Sequence, residues 1–135
     1  MNKKVGKMTL SMALAAALAF APAQAFAAPA TDISGHWAEK VITQWQEKGL
    51  ISGYEDGTFK PDNSVTRAEF VIMLNKALGF TQKGNVTFSD VSANAWYYDA
   101  VAIAVEAGYC AGYEDGTFKP DATITRAEAA VMIAK

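Results

Sequence analysis

An all-α protein, built from one helix–loop–helix unit used twice, is predicted by three observations. The decapeptide GYEDGTFKPD at 53–62 returns letter for letter at 112–121. The likeness extends to both sides: NSVTRAE at 63–69 becomes ATITRAE at 122–128, and Trp37, Glu47 and Gly49 are answered by Trp96, Glu106 and Gly108 at the same offset of 59 residues. On either side of the loops, apolar residues recur at helical spacing. A fixed offset held over about forty residues marks one structural unit built twice, long enough here for two helices and a substantial loop.

The chain opens with a secretory signal pattern. Lys3, Lys4 and Lys7 precede an apolar run from Met8 to Ala21, and the small-residue pattern Ala25-Phe26-Ala27 follows. Cleavage is expected after Ala27, with Ala25 as second choice. The run is short for a permanent span and is followed by Pro22, which argues against a membrane anchor, and no cysteine stands just after it to carry a lipid. Cleavage would remove three of the twelve basic residues and none of the fourteen acidic ones, moving the net charge from −2 to −5. That charge is no footprint for nucleic acid or for an anionic membrane surface. The single cysteine, Cys110, cannot close a disulfide within the chain and reads as a small buried hydrophobe.

After a leader at 28–31, the first repeat is expected over 32–79, a linker over 80–87 and the second repeat over 88–135. In the first repeat, Trp37, Val41, Ile42 and Trp45 form a helical stripe, with Ser34 or Asp32 to cap its start and Gly49 to end it. In the second, Trp96, Ala100, Val101 and Ala104 form the stripe, Ser92 or Asn94 the cap and Gly108 the stop. The decapeptide is a loop: Asp56-Gly57 and Asp115-Gly116 supply a tight turn, Tyr54 and Phe59 bracket it, and Pro61 ends any regular element. Thr66-Arg67-Ala68-Glu69 is a capping box that opens the second helix of the repeat. Phe70, Val71, Leu74, Ala77 and Leu78 make its face, and Gly79 closes it. Ile72 and Met73, like Val131 and Met132 in the second copy, lie off that face, which predicts helices covered from more than one side and a centre shared between repeats. The second copy stops at the counterpart of Lys76, which suggests a truncated reading frame or a fragment.

Catalysis finds little footing. His36 is the only histidine, its counterpart is Ala95, and no serine or cysteine is spaced to form a triad with it. Glu55, Asp56 and Asp62 lack the alternating oxygen ligands of a calcium loop, and one His with one Cys does not make a zinc site. No metal or cofactor is expected. Arg67 and Arg126 are more informative, because each stands at the first position of a helix, where the backbone dipole favours an anion instead. Either an ion pair holds them, with Glu69, Asp62 or an acid of the other repeat, or they converge with helix N–H groups on an external carboxylate. Trp37 and Trp96 likewise admit two readings: core residues, or half-exposed plates suited to a sugar ring.

With HWAEKVI at 36–42, AWYYDAV at 95–101, the two decapeptides and the two TRAE tetrapeptides in order, the chain resembles the S-layer homology family of bacterial cell-surface proteins over about residues 32–135. The family's leading Phe-x-Asp is intact at Phe88-Ser89-Asp90, whereas the first repeat has Ala30 in place of Phe. The resemblance implies two helices per repeat, three repeats around a central bundle, and non-covalent attachment to the wall through a pyruvylated secondary cell-wall polysaccharide carried on peptidoglycan. It also implies a secreted, wall-bound protein without catalysis of its own. Carried over, the groove-lining residues are Arg67, Arg126, Trp37, Trp96, Gly53 and Gly112, with Asp32 and Asp90 as further positions. The missing third repeat puts a complete set of grooves in question. The rival expectation is a structural one, in which repeats contact each other or a second copy within a surface lattice.

Overall fold

The computed structural model describes residues 30–135. Its regular structure is helical: a 3-10 turn at Thr31–Ile33, then α1 (Glu39–Glu47), α2 (Arg67–Leu78), α3 (Tyr98–Glu106) and α4 (Arg126–Ala134). Among the described residues there is no strand, only an isolated antiparallel bridge between Thr66 and Thr123. No described helix is long and apolar enough to cross a membrane. The signal pattern of 1–27 lies outside the described residues.

Local rules account for α2 and α4. Thr66 Oγ1 accepts from the Glu69 N–H at 3.2 Å, while Glu69 Oε2 accepts from the Thr66 N–H at 2.8 Å. Thr125 and Glu128 repeat both bonds. Two of the N–H groups that a helix start leaves without partners are thereby satisfied at each site. Gly79 ends α2 in the left-handed conformation (φ 73°), its N–H donating to the Asn75 carbonyl.

The expected caps of α1 and α3 are not used. Neither helix has a side-chain cap, and both begin later than Ser34, Asp32, Ser92 or Asn94 would require. Residues 31–33 form their own 3-10 turn, and Glu39 reaches back to the Gly35 N–H at 2.8 Å. In the second repeat, Ser92 and Asn94 lie in a turn closed by the Ala95 N–H on the Ser92 carbonyl at 3.0 Å. Trp37 and Trp96 therefore precede their helices instead of standing on an inner stripe.

The main core crosses the repeat boundary. Ala68 and Val71 of α2 pack with Val101 and Ala104 of α3, Met132 of α4, and Val91, Tyr109, Cys110 and Phe118. A smaller cluster in the first repeat holds Ala30, Ile33 and Ile42, with Ile51 and Phe59 against it. Asn75, buried at the α2–α3 contact, is satisfied on both sides of its amide: Nδ2 donates to the Ala100 carbonyl at 2.9 Å, and Oδ1 accepts from the Tyr109 hydroxyl at 2.6 Å. A buried amide paired in this way fixes the register of the contact. Burial pushes the Tyr109 hydroxyl well above the usual phenol range, so it stays a donor. The linker lies along α3, with the Gly84 N–H on the Ala102 carbonyl at 2.9 Å and Lys83 paired with Asp99 at 2.6 Å.

The shared centre is lopsided. Met132, expected off the packed face, is in the core, whereas Val131 and Ile133 are exposed and Ile72 and Met73 are half-buried. At the other end, Val41 and Trp45 of α1 are exposed and only Ile42 of the expected stripe is buried. Packing depends on which element lies alongside, and among the described residues α1 has no counterpart of the α2 that covers α3.

Candidate functional site

The repeated decapeptide folds the same way twice. The Tyr54 N–H donates to the Thr58 carbonyl at 2.7 Å and the Gly57 N–H to the Tyr54 carbonyl at 3.0 Å; Tyr113, Thr117 and Gly116 repeat this at 2.8 and 3.0 Å. Asp56 Oδ1 accepts from the Thr58 N–H and hydroxyl at 3.0 and 2.6 Å, as Asp115 does from Thr117 at 3.0 and 2.5 Å. The hydroxyl and N–H of Thr58 hold the Asp56 carboxyl below its ordinary value, and those of Thr117 do the same for Asp115. Among the described residues no group of three or more His, Cys, Asp or Glu side chains is placed to hold a metal ion.

Just past the turn the backbone becomes strained. Lys60 and Lys119 adopt left-handed φ values of 55° and 57°, unusual for side-chain-bearing residues. That conformation aims two successive N–H groups at one point, forming an anion nest. Asp32 fills the first nest, accepting from Phe59 and Lys60 at 2.8 and 2.7 Å; Asp90 fills the second, accepting from Phe118 and Lys119 at 2.8 and 2.7 Å. Desolvation opposes charge on Asp32, but the Lys60 and Phe59 N–H groups outweigh it and lower its pKa. Asp32 therefore does not cap α1, and both carboxylates pin their repeat's start to its loop.

The loop is also tied forward to the helix after it. Tyr54 donates to Glu69 Oε1 at 2.7 Å, and Tyr113 donates to Glu128 Oε1. Each capping-box glutamate thus has one oxygen on the helix start and the other on the loop tyrosine. Lys60 and Lys119 lie over the same tyrosine rings, 4.3 and 4.1 Å from their centres. Sequence reasoning missed this tyrosine–glutamate link; its signal was the decapeptide's identity, which exceeds what a turn alone requires.

The two arginines part company. Arg67 is 3% exposed. Its Nε donates to the Phe118 carbonyl at 2.8 Å, its Nη1 to Glu128 Oε1 at 3.1 Å, and its guanidinium lies 4.6 Å from the Tyr113 ring centre and 5.1 Å from that of Phe118. Of the ion-pair partners considered, an acid of the other repeat is the one found. The α2 start is occupied as well: the N–H groups of Arg67 and Ala68 donate to the carbonyls of Ala122 and Pro120 at 2.9 and 3.0 Å. Arg67 therefore locks the second repeat to the first. Glu128 gains most from this setting, the Tyr113 hydroxyl and the Thr125 N–H holding its pKa down to about 2, with Arg67 adding to them.

Arg126, at the same helical position of α4, is exposed and has no ion-pair partner among the described residues. Trp37 and Trp96 are 89% and 67% exposed, so neither ring is a core residue. His36 and Tyr97 lie beside them, at ring-centre distances of 5.4 and 5.3 Å. His36 takes a structural role: its Nδ1 accepts from the Ala38 N–H at 3.1 Å, leaving Nε2 to face Asp62 Oδ1 at 3.2 Å.

Gly53 and Gly112 sit at the loop base. A Cβ on Gly112 would meet the Phe88 ring and come within 2.8 Å of the Thr117 carbonyl oxygen, at a φ of 71° that disfavours side chains. On Gly53 it would come within 2.5 Å of the Thr58 carbonyl oxygen. Close backbone approach within the turn is a sufficient reason for both glycines. Cys110 is buried, and burial raises its thiol pKa.

These features define a class: an all-helical tandem-repeat module whose loop is braced behind by an aspartate and ahead by a tyrosine–glutamate bond. The chain belongs to the S-layer homology domain family, whose pattern matches residues 31–71 and 87–130. It is 39% identical over 101 residues to a surface-layer 125 kDa protein of Lysinibacillus sphaericus, covering 75% of this chain and 8% of that protein. It is 35% identical over 141 residues to a surface layer protein of Brevibacillus choshinensis, covering 98% and 12%. A cellulosome-anchoring protein of Acetivibrio thermocellus is 39% identical over 104 residues, covering 73% and 23%. The chain thus spans less than a quarter of the length of each of these relatives. Family and relatives indicate a cell-surface location and, for the matched segments, an anchoring module.

Proposed function

We propose that this chain is a non-catalytic, non-covalent wall anchor that binds a pyruvylated secondary cell-wall polysaccharide on peptidoglycan. Exposure of Trp37 and Trp96 carries the reading, because each repeat presents a large flat apolar surface with an N–H at its edge. Pyranose faces are apolar and their rims polar, so such a plate suits them. Arg126 supplies the charge. Its guanidinium can take a pyruvate carboxylate in a two-pronged contact at a helix start, where the dipole favours an anion. Arg67 is less suited, since reaching it requires displacing Glu128. Asp32, Asp90, Gly53 and Gly112 shape the loops around the site in this reading.

Pull-down of the chain with sacculi, before and after stripping the secondary polysaccharide, tests the partner. Binding to stripped sacculi as strong as to intact ones overturns the proposal. Calorimetric titration of a pyruvylated wall saccharide then tests the residues: Trp96→Ala and Arg126→Ala should lose affinity. Arg126→Lys should lose part of it, because a point charge cannot reproduce the fork.

A further inference from the structure

The Arg67 contact is one half of a pattern that the chain carries twice. In the second repeat the guanidinium rests in a socket made of the Phe118 carbonyl, the Glu128 carboxylate and the Tyr113 ring. At the 59-residue offset, the first repeat carries Phe59, Glu69 and Tyr54. These are arranged alike, with Tyr54 on Glu69 Oε1 and Lys60 over the Tyr54 ring, as Tyr113 is on Glu128 and Lys119 over Tyr113. The backbone half of the contact is duplicated too. Arg67 and Ala68 donate to Ala122 and Pro120, whose counterparts are Asn63 and Pro61. Among the described residues nothing donates to the carbonyls of Phe59, Pro61 or Asn63, and the N–H groups of Arg126 and Ala127 have no acceptor.

The chain contains two arginines, and one of them fills the socket of the second repeat. The other, Arg126, is exposed. The helices continue the same logic. α2 covers α3, whereas α4 leaves Val131 and Ile133 exposed and α1 leaves Val41 and Trp45 exposed. By the 59-residue correspondence, α4 carries an arginine, helix N–H groups without acceptors among the described residues and exposed apolar residues, and the first repeat carries the socket, its carbonyls and, on α1, exposed apolar residues.

We propose that these ends join two copies of this chain head to tail, Arg126 of one copy entering the Tyr54–Phe59–Glu69 socket of the next. The interface is heterologous, so the contact can be repeated from copy to copy until geometry closes a ring or leaves a filament. It does not rest on the saccharide reading but competes with it, since a sugar acid and a second copy on Arg126 exclude one another. In the docked state, charge-assisted bonds at a shielded site replace an exposed guanidinium.

Sedimentation velocity of the secreted chain, without saccharide and over a rising concentration series, is the test. The parent should associate reversibly, and Arg126→Ala should weaken association about tenfold or more. Tyr54→Ala, which opens the socket but keeps Arg126, should weaken it similarly. Circular dichroism checks that each variant is folded. An equimolar mixture of the two variants should recover a heterodimer, since Arg126 of the tyrosine variant still meets an intact socket on the arginine variant. A parent that is monomeric throughout overturns the proposal and leaves a further repeat as the socket's occupant. Association unchanged in Arg126→Ala, or a mixture with no heterodimer, overturns it as well.

Discussion

Arg67 and Arg126 occupy the same place in the same tetrapeptide, each following a threonine cap and preceding a glutamate that closes the box. One is nearly sealed from water, bonded to a carbonyl and a carboxylate of the other repeat, and the other is exposed. Their loops differ in the same direction: Phe118 is fully buried and stacks on Phe88 at 5.8 Å, whereas Phe59, which has Ala30 where Phe88 would stand, is only half-buried. Local sequence sets the shape of a repeat, and its neighbour sets how much each residue contributes to stability.

The largest contrast expected is between the two phenylalanines. Phe118→Ala removes a wholly buried ring from the main core and should cost about 3–5 kcal/mol. Phe59→Ala should cost less than half as much, because the satellite cluster of the first repeat can collapse around it. Urea midpoints decide the matter, and equal costs would mean the first repeat is as tightly packed as the second.

A smaller effect separates the arginines. Arg67→Ala leaves the Phe118 carbonyl and Glu128 without a charged donor and should cost roughly 2–3 kcal/mol. Arg126→Ala, measured in dilute solution, should stay within about 0.5 kcal/mol of the parent. Arg67→Ala as mild as Arg126→Ala would show that the inter-repeat lock is ornamental.

Acid should sharpen the comparison further. Glu128 has its pKa lowered in the fold, so its contribution is fully present above its unfolded value of about 4.5 and is lost as pH falls toward about 2. Glu69, where desolvation is outweighed by the Thr66 N–H and the Tyr54 hydroxyl, is lowered as well but lacks an arginine. Glu128→Gln should therefore flatten the acid limb of the stability profile more than Glu69→Gln. Thermal melts between pH 5 and pH 2 measure it, and identical profiles for the two variants would show that the Tyr113 hydroxyl, the Thr125 N–H and Arg67 together hold Glu128 no more strongly than Glu69 is held.

Much of this architecture is legible in the sequence. The capping boxes at Thr66 and Thr125, the turns at Gly57 and Gly116 and the Gly79 stop depend on residues within four positions of one another, so spacing alone specifies them. The repeat offset gave the two-unit organisation, and the motif order gave the family. What the sequence could not decide were the partners. Asp32 bonds a backbone nest 27 residues away instead of capping α1, and Met132 packs inward although its helix pattern placed it off the apolar face. Arg67 and Arg126 present the same letters to a reader of the chain. Only the packed structure gives one of them a carbonyl, a carboxylate and two aromatic rings, because a side chain's burial is set by the element that docks beside it, and that element lies dozens of residues away.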